Sequence, residues 1–204
     1  MRVVGVVGRT GCGKTALCEI LAARPGCARI DADRLGHEAL RDRVVRREVV
    51  GRFGSAILGR DGEIDRPALA RIVFADEAAL EALNALVHPW IVARINRQLA
   101  DLRASGCAAI VLIDAALLLD WRDAVRCDHI VLVRCSEETS MTRLRDRGFT
   151  AEEARLRMER QLPEQVLRRE ADAVVDNDGD RAALAREAER LWAWLQRGEE
   201  KEPS

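Results

Sequence analysis

Eight residues near the start of the chain, Gly8-Arg-Thr-Gly-Cys-Gly13-Lys14-Thr15, constrain its fold more than any others. They satisfy the pattern G-x-x-x-x-G-K-[ST], and they stand in the context that pattern requires. A short apolar run, Val3 to Val7, leads into them. A helical pattern from Lys14 to about Ala23 follows and is stopped by Pro25-Gly26. In such a strand–loop–helix unit the glycines let backbone N–H groups turn inward around phosphate oxygens. The N-terminus of the helix adds unsatisfied donors and a partial positive charge. The expected nucleotide cradle is Gly11, Cys12, Gly13, Lys14, Thr15 and Ala16, with Lys14 on the β and γ phosphates and the Thr15 hydroxyl on Mg²⁺. The plain alternative is a chance glycine-rich turn before an ordinary helix.

The composition argues for the loop. Lysine occurs only at positions 14 and 201; the rest of the 33 basic residues are arginine. Whatever bias favours arginine spared Lys14. The same scarcity removes any N-K-x-D element, which a GTP switch needs to read its base. Lys201 lies in a polar tail, residues 198–204, expected to be disordered beyond a single domain spanning residues 1–197.

Further apolar runs at Cys27–Ile30, Ala108–Ile113, Ile130–Val133 and Ala173–Val175 read as strands; Ala108–Ile113 is apolar throughout, as for a strand buried on both faces, and Ile130–Val133 repeats its pattern. Helical patterns separate them. One runs from about Leu35 to Val50. Another opens at Arg66-Pro67, and residues 76–104 are largely helical with room for a bend at His88-Pro89. Ser136 and the box Thr150 to Glu153 start two more, and Asp180 caps the last. Five strands alternating with helices predict an α/β, three-layer P-loop NTPase-type fold: a five-stranded, mostly parallel sheet flanked by helices. The stretch 35–105 is too long for one crossover and is expected to form a helical subdomain.

Basic and acidic side chains nearly cancel, 33 against 34, so a general nucleic-acid binder is disfavoured. The six cysteines lack zinc-type spacing, and no apolar stretch has the length of a membrane span or signal segment. A cytoplasmic setting with free thiols is expected, without nucleic-acid or membrane partners, as a monomer or weak homo-oligomer. Cys12, at a helix N-terminus, is expected to be the most reactive thiol, unless it only fills the place of a serine.

Ligands of open parallel sheets bind beyond the carboxyl ends of the strands. Asp31 and Asp33 follow the second strand and Asp114 the third. Asp33 reads either as base or orienter for an acceptor hydroxyl, or as the N-cap of the helix beginning near Leu35. Asp114 reads as a metal or phosphate-site residue or as a strand-end cap. Arg143, Arg145 and Arg147 close a helix before Gly148, where cations would serve a migrating phosphoryl group or simply line a solvated face.

Taken together the residues resemble the dephospho-coenzyme A kinase family. The likeness runs from about residue 3 to 195. It takes in the loop Gly8–Thr15, Ile30-Asp-Ala-Asp33-Arg-Leu-Gly-His37, Asp61-Gly-Glu-Ile-Asp-Arg66, His88-Pro89, Leu117-Leu118, Arg143-Leu144 with Arg147, Gln161, and Asp176-Asn177. It implies ATP and Mg²⁺ as cofactors and transfer of a phosphoryl group to the ribose 3′-hydroxyl of dephospho-CoA. It implies that Lys14, Asp33 and Arg147 are catalytic and that Asn177 joins the ATP site. Asp31, Asp33, His37, His88 and Leu117 would meet the acceptor. The region about 35–105 would form the substrate subdomain and about 136–170 a lid. The chain departs from the family at Ala116-Leu-Leu-Leu-Asp120, where Pro-Leu-Leu-Phe-Glu is usual, and at Arg9, Thr10 and Cys12. Another small-molecule P-loop kinase, or a nucleotide-dependent binding protein with weak catalysis, are the other readings.

Overall fold

A computed structural model describes residues 1–121 and 123–198; the tail expected to be disordered lies, from position 199 on, outside the described residues. The described residues form two compact units, one of Met1–Ile30 with those from Asp101 onward, the other Asp31–Ala100.

The first unit is built on β1 (Arg2–Val7), β2 (Cys27–Asp31), β3 (Ile110–Asp114), β4 (His129–Arg134) and β5 (Ala173–Asp176), in spatial order β2-β3-β1-β4-β5. β1 is parallel to both β3 and β4, with Val6 beside Asp114, and β4 is parallel to β5. This central place for β1 explains its sequence: Val3, Val4, Val6 and Val7 are all inaccessible to solvent. Such a strand has no polar face.

Helix α1 (Lys14–Ala22) follows the loop. In the second unit come α2 (Ala32–Ala39), α3 (Arg43–Phe53) and α4 (Arg66–Ala75), and α5 (Glu77–Ser105) runs from it back into the first. The chain then supplies α6 (Glu137–Asp146), α7 (Ala151–Glu159), α8 (Glu164–Glu170) and α9 (Arg181–Arg197). α1 and α9 close one face of the sheet. Leu17, Leu21, Leu184, Leu191, Trp194 and Leu195 pack there with Val4, Val131 and Val175. Each such leucine contributes roughly 1.5–3 kcal/mol through burial.

Three boundaries differ from the sequence reading. The pattern from 35 to 50 is two helices, because the Asp42 carboxylate accepts N–H bonds from Val44 and Val45 at 2.9 and 3.2 Å and starts a new helix. The helix expected near Leu35 begins at Ala32, and its cap is Asp31, which accepts from the Arg34 N–H at 2.9 Å. α5 continues through Pro89 unbroken. The capping box is as expected: Thr150 N–H donates to Glu153 at 2.8 Å and Glu153 N–H to Thr150 Oγ1 at 3.2 Å.

Candidate active site

The loop between β1 and α1 is shaped by what crowds it. Gly11 has φ 81° and Gly13 φ 93°, conformations that residues with a side chain rarely adopt. A Cβ on Gly11 would lie 2.5 Å from Ser140 Oγ, and one on Gly13 would collide with the Asn177 amide. Gly13 caps α1 without any side-chain hydrogen bond. The first turn of α1 therefore keeps its donors for a ligand, as an anion site requires.

The loop is also braced from outside. The Thr10 N–H donates to Gln161 Oε1 at 2.6 Å, and Ser140 Oγ donates to the Thr10 carbonyl at 2.6 Å. Arg9 Nη2 donates to the Met158 carbonyl at 2.8 Å, and Asn177 Nδ2 to the Cys12 carbonyl at 2.7 Å. Residues of the 136–170 segment and the end of β5 thus fix the loop before any ligand is considered. Asn177 is buried, and its amide is occupied with the loop's backbone.

Lys14 curls back so that Nζ donates to the Gly8 carbonyl at 2.8 Å and approaches that of Arg9 at 3.4 Å. Thr15 Oγ1 donates to Asp114 Oδ2 at 3.0 Å. This pair, a hydroxyl and a carboxylate, offers the hard oxygen donors that Mg²⁺ takes, alongside water and nucleotide phosphates. The arrangement therefore fits the ion. Ala16 sits half-buried in the first turn of α1, against the sheet core. Asp114 is only 5% exposed, and the same oxygen accepts from Arg29 Nη2 at 2.8 Å. Sequence reasoning missed Arg29, although a lone cation in the short run Cys27–Ile30 was a signal.

Of the arginines closing α6, Arg143 is the one at the loop. Its Nη1 lies 3.8 Å from where a Gly13 Cβ would be, buried and without a hydrogen-bond partner, while Nη2 donates to the Gly179 carbonyl at 3.2 Å. Arg147 is the exposed C-cap of α6, one turn further on. Leu117 lines a cavity of about 210 Å³ together with Gly8, Asp120, Arg160 and Gln161. Asp31, Asp33, His37 and His88 belong to the second unit. Asp33 is exposed in the first turn of α2, and His37 follows it by four residues on the same face. Partial burial and then the nearby Arg66 push the His37 imidazole below its ordinary range, against the pull of Asp33 and Asp31. His88 is half-buried on α5.

The expectation for Cys12 is overturned. Its side chain is 2% exposed and belongs to the sheet core, and burial raises its thiol above the ordinary value despite Lys14. A loop of glycines leaves this side chain nowhere to go but inward. Burial likewise pushes Cys27 and Cys135 up to about 11. Cys107 is exposed. A thiol reagent is therefore expected to label Cys107 first and leave ATP binding unchanged. Mass-spectrometric mapping that finds Cys12 labelled ahead of Cys107 would contradict the buried placement.

No helix among the described residues is long and apolar enough to cross a membrane. The model of the dephospho-CoA kinase family matches residues 2–183. The chain is 37% identical to the dephospho-CoA kinase of Geobacter sulfurreducens, covering 95% of this chain and 98% of that one. It is 39% identical to that of Streptomyces avermitilis, covering 96% and 94%. Among solved structures it resembles TT1252 from Thermus thermophilus, with TM-score 0.78 and 31% identity over 95% and 97% of the two chains. A shikimate kinase from Bacteroides thetaiotaomicron, at TM-score 0.53 and 16% identity over 96% and 98%, shares the fold. The loop, its lysine and its hydroxyl–carboxylate pair thus sit in a chain matched nearly end to end in sequence, and that chain belongs to the dephospho-CoA kinase family.

Proposed function

We propose that this protein transfers the γ-phosphoryl group of ATP to the ribose 3′-hydroxyl of dephospho-CoA, giving coenzyme A and ADP, as a cytoplasmic monomer or weak homo-oligomer. The observation that carries this reading is the Lys14, Thr15 and Asp114 constellation at the start of α1 in a member of this family. The loop amides and Lys14 hold the β and γ phosphates. Thr15, oriented by Asp114, is the residue that would hold Mg²⁺. When bound, that ion neutralises charge on the transferring phosphoryl group. Asp33 orients the acceptor hydroxyl and takes its proton. The oxygen so freed bonds to the γ phosphorus as the bond to the β–γ bridging oxygen breaks and ADP leaves. Arg143 at the loop, with Arg147 beyond it, supplies positive charge where the equatorial oxygens gather it. His37, His88, Asp31 and Leu117 serve the acceptor. Segment 136–170, which holds the loop through Ser140, Met158 and Gln161, acts as the lid that keeps water out.

The test is ADP release measured across dephospho-CoA, nucleosides, nucleoside monophosphates and shikimate. Dephospho-CoA is expected to stimulate release far above the others, with the new phosphate on the 3′-oxygen by phosphorus NMR. Equal or faster turnover with a nucleoside monophosphate would overturn the acceptor assignment. ATP binding with no acceptor-stimulated release would indicate a binding protein instead.

A further inference from the structure

The proposed reaction gives no role to the Arg9 side chain. Arg9 follows Gly8 in the loop, at one of the places where the chain departs from its family. Among the described residues its guanidinium makes one hydrogen bond, from Nη2 to the Met158 carbonyl at 2.8 Å, and its buried Nε has no partner. A guanidinium pairs best with a carboxylate, and the acids near this one are engaged elsewhere. Arg9 shares a cavity of about 360 Å³ with Arg134, Glu137, Glu164 and Asp178. Glu164 lies 3.1 Å from Arg134, which also pairs with Asp176, and Asp178 accepts the Ser136 N–H at 2.7 Å. Glu137 stands in the first turn of α6, where the helix N-terminus suits its charge.

The bond to Met158 ties Arg9 to the last turn of α7, where backbone carbonyls carry partial negative charge and take cations well. The same carbonyl accepts the Arg160 N–H and, at 3.3 Å, the Gln161 N–H. Gln161 Oε1 in turn accepts the Thr10 N–H at 2.6 Å. Met158 is 5% exposed and packs in a small core with Leu144 and Ala154, so this turn moves with the lid. Two neighbouring loop residues therefore meet two residues at one end of α7. The Thr10 bond uses loop backbone, which nearly any residue supplies. The Arg9 bond depends on a loop side chain. The carbonyl of that same residue accepts the Cys12 N–H at 3.3 Å and is approached by Lys14 Nζ at 3.4 Å. One residue thus joins the lid to the lysine. We infer that Arg9 is a positioning residue: by holding the end of α7 on the loop, it keeps the lid seated over the transferring phosphoryl group and favours the acceptor over water. The inference rests on the kinase reading above and adds to it a side chain that decides where the phosphoryl group goes.

The test compares Arg9→Met, which keeps an apolar stem but loses the donors and the charge, with Arg9→Lys, which keeps a charged donor. Two quantities are read. One is the ratio of ADP release without acceptor to release with dephospho-CoA. The other is hydrogen exchange at the Thr10 and Gln161 amides. In Arg9→Met the ratio and both exchange rates are expected to rise about tenfold, the scale of one hydrogen bond to a charged group. Arg9→Lys should stay closer to the unmodified protein than to Arg9→Met. Arg9→Ala should match Arg9→Met, and serves in its place if the methionine variant does not fold. The inference is overturned if the ratio stays unchanged while exchange quickens throughout the protein, which is what a merely structural role predicts. It is equally overturned if neither quantity moves, or if hydrolysis and transfer are lost together, which would place Arg9 on the phosphoryl group itself. Absence of acceptor-stimulated ADP release in the unmodified protein would count against the kinase reading instead, and amide exchange in Arg9→Met would still decide whether Arg9 holds α7 to the loop.

Discussion

Lys14→Ala is expected to lower kcat/KM by about 10³-fold or more, the scale on which removing a preorganised cation or donor from a phosphoryl-transfer site acts. The structure gives the reason. The ammonium is aimed by the Gly8 and Arg9 carbonyls, so its position is set by the loop and not by chance of rotamer. No other lysine lies among the described residues, so none can deputise. Lys14→Arg should fail almost as completely. A guanidinium is planar and presents its donors in a fixed fork. It cannot occupy the space of a compact ammonium between two carbonyls and a phosphate oxygen. Steady-state kinetics with ATP varied, alongside a direct ATP-binding measurement, checks both variants. A Lys14→Arg protein retaining more than about a tenth of the kcat/KM would mean the loop does not grip phosphate in the way described.

Asp33→Asn is expected to lower kcat by about 10²–10⁴-fold, the range for losing general-base assistance, with little change in the KM for ATP. The fold makes this test sharper than the sequence alone allowed. The residue that caps α2 is Asp31, not Asp33, so Asn at position 33 leaves the cap bond to Arg34 N–H in place. Thermal stability should therefore be unchanged in Asp33→Asn. Asp31→Ala, by contrast, removes a cap and should cost about 1 kcal/mol of stability. Near-normal kcat in Asp33→Asn would remove Asp33 from the chemistry, and the helix cap could not then be invoked to explain it.

These two cases also mark what could be read from residue order and what could not. The phosphate loop was legible because its requirements are local: glycines at fixed offsets, a lysine, a hydroxyl, then a helix. The inner strands β1 and β3 were legible because strands buried on both faces are apolar almost throughout, and the ends of all five strands moved by only one or two residues. The split between α2 and α3 was missed because Asp42 sits in a polar, arginine-rich run where a cap does not stand out. The identity of the α2 cap was missed because two aspartates two residues apart satisfy the same local rule. The pairing of Arg29, unlike its oddness in an apolar run, was beyond reach for a different reason. Its partner Asp114 is 85 residues away, and only the neighbouring places of β2 and β3 in the sheet bring them together. Cys12 was misjudged since a helix terminus favours a thiolate only where water or a ligand can reach it. Here the side chain turns toward Val133 and the sheet, as its contact with the space beside Gly8 shows.

The braces on the loop fix a schedule for how the protein comes into being. Thr10 and Cys12 leave the ribosome early, but Gln161 and Asn177, which hold them, are 151 and 165 residues behind. A nascent chain paused before Ala173 carries the whole glycine–lysine motif and yet has neither β5 nor the amide that pins the Cys12 carbonyl. Nucleotide can stabilise only a state it binds. For most of synthesis, then, ATP has no finished cradle to hold and cannot draw the growing chain toward its native form. Messages cut short within this last stretch would yield proteins that advertise the motif without the grip.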